Sequence, residues 1–281
     1  MIVELPQWLT QLREIEIVKR VQKDPRSVGK TVLGIAPNVA KDQVVGWGQA
    51  DFDSPWNDLS PEDRVLLYAY FNQKGHLEEL FAAFKMLFKD GCPNAPIVMD
   101  LGCGPFTGGL ALAAVLGRES QFDYIGVDCS QTMRAFGERL ASAAEQSFDE
   151  VPTIVCQWAS DVGSVTRNWK SKPVWRPVIV IVSYLLASPT LNAEALVVDL
   201  CKLLKKIGRG PVTVLYTNSK SLDANRQYPA FRDALVATSF KLREDDIGTI
   251  KIERWGGEMD RKLRYALFHR QEQRTLQLGG G

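Results

Sequence analysis

The residues with the most chemical content lie together at Val98-Met99-Asp100-Leu101-Gly102-Cys103-Gly104-Pro105-Phe106-Thr107-Gly108-Gly109. An acid ends a short apolar run, and a glycine-rich turn then opens a helical pattern. Glycines let backbone pass close to a ligand, and a helix N-terminus offers unpaired N–H groups. A second apolar run ends at Asp128, 28 residues after Asp100. An acid at that place can bind both hydroxyls of a ribose. The spacing therefore predicts a nucleoside cofactor. The dinucleotide fingerprint wants Gly or Ala at its third small position, and here that position is Thr107. A carboxylate at Asp100 would repel a pyrophosphate and attract an α-ammonium group.

The elements that must position these residues are legible from periodicity. Apolar runs at 97–101, 123–128, 153–158, 177–186 and 211–218 predict strands. Helical patterns at 108–117, 130–146, 192–208 and 228–240 separate them. Two further runs, 249–255 and 262–270, have no helix between them and predict an antiparallel hairpin joined through Gly256-Gly257. The expected fold is α/β: a doubly wound, mostly parallel seven-stranded sheet ending in an antiparallel hairpin strand. Ahead of it stands a helical and loop-rich extension. Leu9, Leu12, Ile15, Ile17 and Val18 recur at helical spacing until Asp24-Pro25. A Gly- and Pro-containing loop follows over 27–60. Ser60-Pro61-Glu62-Asp63 then starts a helix that runs toward Gly91, with Gly75 as a weak point. The expected domains are an arm or lid over 1–95, a cofactor domain over 96–270 and a flexible tail over 271–281.

The segments DLGCGPFTGG and YIGVDCSQTM together resemble the class I (Rossmann-like) S-adenosylmethionine-dependent methyltransferases. The resemblance covers residues 96–270. It implies S-adenosylmethionine as cofactor and S-adenosylhomocysteine as product. Asp100 and the turn Gly102-Cys103-Gly104 would line the methionine part, and Asp128 would bind the ribose. Cys129 and Met133 would flank the adenine, and Asp161-Val162 would follow the third strand on its adenine side. Ser183 and Tyr184 would end the fourth strand beside the sulfonium and the acceptor. The plainer readings stand beside these: Asp128 as a helix cap, Asp161 as a turn acid, Met133 as core, and the two cysteines as packing.

The chain departs from the family's pattern at the fourth strand. The fourth strand begins Arg176-Pro177-Val178 instead of with an acid, and no Asn/Asp-Pro-Pro-aromatic motif is present. That lowers exocyclic base amines and glutamine side chains as acceptors.

Methyl transfer is an in-line displacement that the protein serves by positioning and desolvation, so a general base is needed only for a nucleophile that must lose a proton. In such enzymes the N-terminal helical segment usually roofs the site. Tyr68, Tyr70, Phe71, Asn72, Lys74 and His76 cluster there. On a continuous helix Asn72 would share a face with Tyr68 and with His76. His76 and Tyr184 are the candidate catalytic residues, and Tyr70, Asn72 and Trp47 the candidate acceptor contacts.

Composition narrows the function classes. The 281 residues carry 34 basic and 33 acidic side chains, so binding polyanions over the whole surface is disfavoured. Residues 202–281 nonetheless hold 16 bases and 9 acids. No apolar run approaches the ~20 residues of a membrane span, and no secretory leader is read at the N-terminus; a cytoplasmic protein without a membrane partner is expected. Cys92, Cys103, Cys129, Cys156 and Cys201 form no CxxC, and His76 lies far from His269, so no metal site is expected. The leading expectation is methyl transfer to a small molecule or a protein. An RNA methyltransferase is the second reading, aided by Arg261, Lys262, Arg264, Trp47 and Trp56 but lacking an appended RNA-binding motif. A non-catalytic subunit that binds the cofactor or its product is the third.

Overall fold

The segment Ile-Val-Met-Asp-Leu is buried throughout because it forms a central strand, β1 (Ile97–Leu101), with parallel neighbours on both sides. The computed structural model describes residues 2–254 and 257–271. Its other strands are β2 (Gln121–Val127), β3 (Thr153–Ala159), β4 (Val178–Ser183), β5 (Val212–Ser219), β6 (Lys241–Arg254) and β7 (Gly257–Arg270). They form one seven-stranded sheet in the order β3-β2-β1-β4-β5-β7-β6. β1 to β5 are parallel, and β7 runs antiparallel to both β5 and β6. The expected fold class is therefore the observed one.

Strand alternation sends side chains to two cores. Val98, Phe122, Tyr124, Ile179 and Ile181 join the helices Thr107–Leu116 and Gln131–Ser147 and the N-terminal helices. Ile97, Met99, Ile125, Val180 and Val214 face the helices Val162–Asn168, Ala193–Ile207 and Tyr228–Ala237. Each fully buried Leu, Ile or Phe contributes about 1.5–3 kcal/mol. Trp8, Leu9, Leu12, Val65, Leu77 and Phe84 lie in the first core, so the N-terminal arm and the sheet share one interior.

The arm's sequence fixes its path. Ser60 and Asp63 form a reciprocal capping box with Pro61 at the first helical position. The helix that follows does not break at Gly75. It takes one π turn, Ala69–Gln73, and continues as Lys74–Leu87. The 27–60 segment is folded into short turns gathered by the buried Arg64, which donates to the carbonyls of Val44, Asp51 and Ser54. Among the described residues no helix is long and apolar enough to cross a membrane.

Two elements depart from expectation. β6 begins at Lys241, eight residues earlier than its apolar pattern, because Lys241-Leu242-Arg243-Glu244-Asp245-Asp246 is an edge strand solvated on most of its length. The helix Val162–Asn168 carries too short a periodic pattern to be read beforehand. The hairpin connection at Gly256 and the expected tail beyond Gln271 lie outside the described residues.

Candidate functional site

β1 and β4 are neighbours whose connections leave in opposite directions across the sheet, and the crevice beyond their carboxyl ends is where α/β sheets bind ligands. The glycine turn fills this position. Gly102 (φ 70°) and Gly104 (φ 50°) take the left-handed conformation, and so does Phe106 (φ 64°). The last is a strained choice for a bulky residue. It persists because the Phe106 ring is buried against Tyr124 at 4.7 Å and Trp158 at 5.7 Å. The N–H groups of Gly102 and Cys103 donate to the Val127 carbonyl at 2.8 and 3.1 Å, tying the turn to the end of β2.

Asp128 is the hinge of this arrangement. Its Oδ2 accepts from the Gly104 N–H at 3.0 Å and its Oδ1 from the Ser130 N–H at 2.9 Å. Burial raises its carboxyl above the ordinary range, against the lowering by those two N–H groups. An ionised carboxylate offers about four acceptor positions, so each oxygen keeps one for a further donor. Above Gly104 there is room: a Cβ built there meets only the edge of the Tyr68 ring, at 3.9 Å. A glycine cradle beside an acid with two vacant acceptor positions suits a nucleoside with vicinal hydroxyls.

Asp100, which the resemblance places along the methionine part, is buried. It lies beneath the turn, 2% exposed, and accepts from the Tyr124 hydroxyl at 2.7 Å. Gly108 is packed so close that a Cβ there would stand 2.3 Å from Asp100 Oδ2. Burial, the largest influence, pushes the Asp100 carboxyl up to about 7, with the Asp128 charge adding to it and the Tyr124 hydroxyl opposing.

The roof comes from the N-terminal arm. The buried Gln73 donates to the Pro105 carbonyl at 3.1 Å and accepts from Arg13 Nε at 3.2 Å. Burial raises the Tyr68 hydroxyl first, and the charges of Asp128 and Asp100 raise it further. The π turn decides which residues meet. Eight residues of regular helix would leave Tyr68 and His76 about 80° apart, and one extra residue in the turn brings them within about 20°. Their rings lie 6.3 Å apart. His76 then stacks on Tyr184 at 3.9 Å. Burial and the nearby Arg261 charge hold His76 down at about 3, so it is neutral at ordinary pH and a weak base.

Tyr184 follows β4 in the left-handed conformation (φ 60°), the kind of outlier that clusters at functional sites. Its hydroxyl donates to Glu79. Arg261 of β7 reaches the same carboxylate at 2.5 Å. Gly75 makes this possible, since a Cβ there would stand 2.4 Å from the Arg261 guanidinium.

The remaining expected residues are scattered. Cys103 is buried within the turn and Cys129 is exposed beside Asp128. Met133 is core. Asp161 is an exposed cap whose Oδ1 accepts from the Ser164 N–H at 2.7 Å, and Val162 is buried behind it. Ser183 accepts from the Thr217 hydroxyl at 3.0 Å. Tyr70 packs edge-on to Phe71 at 5.1 Å, and Asn72 is part-buried inside the π turn. Trp47 is 70% exposed. Sequence reasoning missed Asp53, Gln73 and Glu79. No local pattern marks them, because their partners lie far along the chain.

The strand order, with β7 reversed beside β5, is the mostly parallel α/β arrangement expected from the sequence. Solved structures similar to the chain include one concerning the conversion of a disulfide bond into a thioacetal group during echinomycin biosynthesis. It is 16% identical over 68% of this chain and 81% of its own, with a TM-score of 0.42. A SAM-dependent methyltransferase from Methanosarcina mazei is 10% identical over 65% and 95%, with a TM-score of 0.42. A TehB-like SAM-dependent methyltransferase from Corynebacterium glutamicum is 13% identical over 71% and 88%, with a TM-score of 0.39. No protein-family model matches the chain, and no curated protein sequence matches it.

Proposed function

We propose that the chain binds S-adenosylmethionine and transfers its methyl group to a small-molecule or protein acceptor. The observation that carries the reading is Asp128, fixed by Gly104 and Ser130 with one acceptor position left on each oxygen. Two vicinal ribose hydroxyls match those positions.

When bound, the cofactor supplies an electrophilic methyl on a sulfonium. The chain's own residues bind, orient and exclude water. Asp128 takes the ribose hydroxyls. The Gly102-Cys103-Gly104 backbone and the roof residue Tyr68 hold the methionine side, with Asp100 fixing the turn from below. Cys129, Met133, Asp161 and Val162 remain the proposed adenine side, and Ser183 the proposed neighbour of the reacting centre. Tyr184 and His76 wall the acceptor space with flat, mostly apolar faces, and Tyr70, Asn72 and Trp47 stay as proposed outer acceptor contacts. Acceleration comes mainly from positioning and desolvation, with His76 and Tyr184, stacked at 3.9 Å, as the proposed catalytic residues beside the acceptor. Two bases that would serve an RNA acceptor are paired with acids: Arg261 with Glu79, and Arg264 with Asp245 at 2.6 Å.

Calorimetric titration with S-adenosylmethionine, S-adenosylhomocysteine and NAD tests the cofactor. Micromolar binding of the first two and none of NAD supports the reading, and the reverse overturns it. Incubation with a labelled methyl donor and separate small-molecule, protein and RNA fractions then tests the acceptor class. Label in the RNA fraction alone would contradict it.

A further inference from the structure

Asp53 lies in the 27–60 arm, yet its carboxylate is seated on the turn that follows Asp128. Its Oδ1 accepts from the Ser130 hydroxyl at 2.9 Å, the Thr132 N–H at 2.8 Å and the Thr132 hydroxyl at 2.8 Å. Its Oδ2 accepts from the Gln131 N–H at 3.0 Å. The helix Gln131–Ser147 already has a cap, since the Ser130 hydroxyl accepts from the Met133 N–H at 3.1 Å. That cap satisfies the Met133 N–H alone, and the Gln131 and Thr132 N–H groups of the same first turn are satisfied by Asp53, from a segment 77 residues away. Ser130 links the two acids: its N–H goes to Asp128 and its hydroxyl to Asp53.

The arm grips the same place by a second route. Phe52 is buried and packs edge-on to Tyr68 at 5.5 Å, and Tyr68 lies over Gly104. Asp53 reaches Gly104 through Ser130 and Asp128. The loop is pre-shaped for both contacts. Arg64 draws in the Asp51 and Ser54 carbonyls, and the Asp51 carboxylate accepts from the Asp53 N–H at 3.0 Å.

We propose that Asp53 is a positioning residue of the cofactor site: seated on the Ser130–Thr132 turn, it holds the Asp128 carboxylate in its ribose-binding orientation, so that docking of the arm and cofactor affinity are coupled. The proposal rests on the S-adenosylmethionine reading and deepens it. Asp53 touches no cofactor itself. It removes the freedom of the residue that does.

The test is a double-mutant cycle on the full chain. Affinity for S-adenosylhomocysteine is measured by calorimetry for wild type, Asp53→Ala, Asp128→Ala and the double variant. The expected result is a roughly tenfold loss for Asp53→Ala in the wild-type background and less than about twofold in the Asp128→Ala background. Equal losses in both backgrounds, or none in either, overturn the proposal. Thr132→Val removes one donor and leaves the carboxylate in place, and a loss of a few-fold is expected. Hydrogen exchange without ligand gives an independent readout: the Gln131 and Thr132 amides should exchange at least about tenfold faster in Asp53→Ala, while β1 and β4 amides stay unchanged. Unchanged exchange at 131 and 132 overturns the latch. If wild type binds neither S-adenosylmethionine nor S-adenosylhomocysteine, the functional reading itself fails. Wild-type binding that Asp53→Ala leaves intact defeats only the present inference.

Discussion

The Tyr184 hydroxyl stands 3.0 and 2.9 Å from the two oxygens of Glu79, joining the end of β4 to the roof helix across 105 residues. Glu79 is 1% exposed and Arg261 completes the cluster. A buried acid of this kind is stable only while its partners remain.

Removing Glu79 should therefore cost more than removing Arg261. Glu79→Ala leaves the Arg261 charge without its counter-ion and the Tyr184 hydroxyl without its acceptor, and is expected to destabilise by about 3 kcal/mol. Arg261→Met leaves a carboxyl that can take up a proton. Burial already holds Glu79 above the usual carboxylate range, and loss of the opposing Arg261 charge raises it further. A folded-state pKa above the unfolded value favours folding at low pH, and that advantage is lost as pH rises. The urea-unfolding deficit of Arg261→Met against wild type should be smaller at pH 5 than at pH 8. Equal destabilisation at both pH values would contradict the account.

Asp100 makes a similar prediction with a defined window. Its folded value of about 7 stands above its unfolded value of 3.8. The folded state then holds a proton that the unfolded state has released, so stability declines as pH rises from about 4 to about 7. Asp100→Asn keeps an acceptor for Tyr124 and removes the titration. The difference in unfolding free energy between the two proteins should shift toward the variant across that window, by several kcal/mol in order of magnitude. A difference that stays flat with pH would refute the burial argument.

Gly108 sets two effects against each other. Alanine in place of a helical glycine gains up to about 1 kcal/mol from propensity. Here its methyl would stand 2.3 Å from Asp100 Oδ2 and 3.0 Å from Ile181 Cδ1, both held by packing. Overpacking of this kind costs about 1–3 kcal/mol. Gly108→Ala should lower the melting temperature, and a rise would mean that the turn is looser than described.

The sheet was legible because its central strands carry mostly apolar runs bounded by turn residues, as at Ile97–Leu101 and Val178–Ser183. Asp128 and the glycine turn were legible because their spacing is local to one β–α–β unit. The roof was not. Tyr68 and His76 come together through a single π turn, which periodicity does not reveal. Asp53 finds Ser130 and Thr132 across 77 and 79 residues, and its own surroundings carry no regular pattern. The first eight residues of β6 escaped because an edge strand rich in charge loses the alternation that marks a strand.

The most direct test of the central claim is the affinity of S-adenosylhomocysteine for wild type against Asp128→Ala, with both proteins shown to melt cooperatively. Loss of the charge-assisted hydrogen bonds to the ribose should cost on the order of 1.5–3 kcal/mol, a roughly ten- to hundredfold weaker complex. Equal affinity in the two proteins would contradict the assignment of Asp128, and with it the nucleoside site at the β1/β4 crevice.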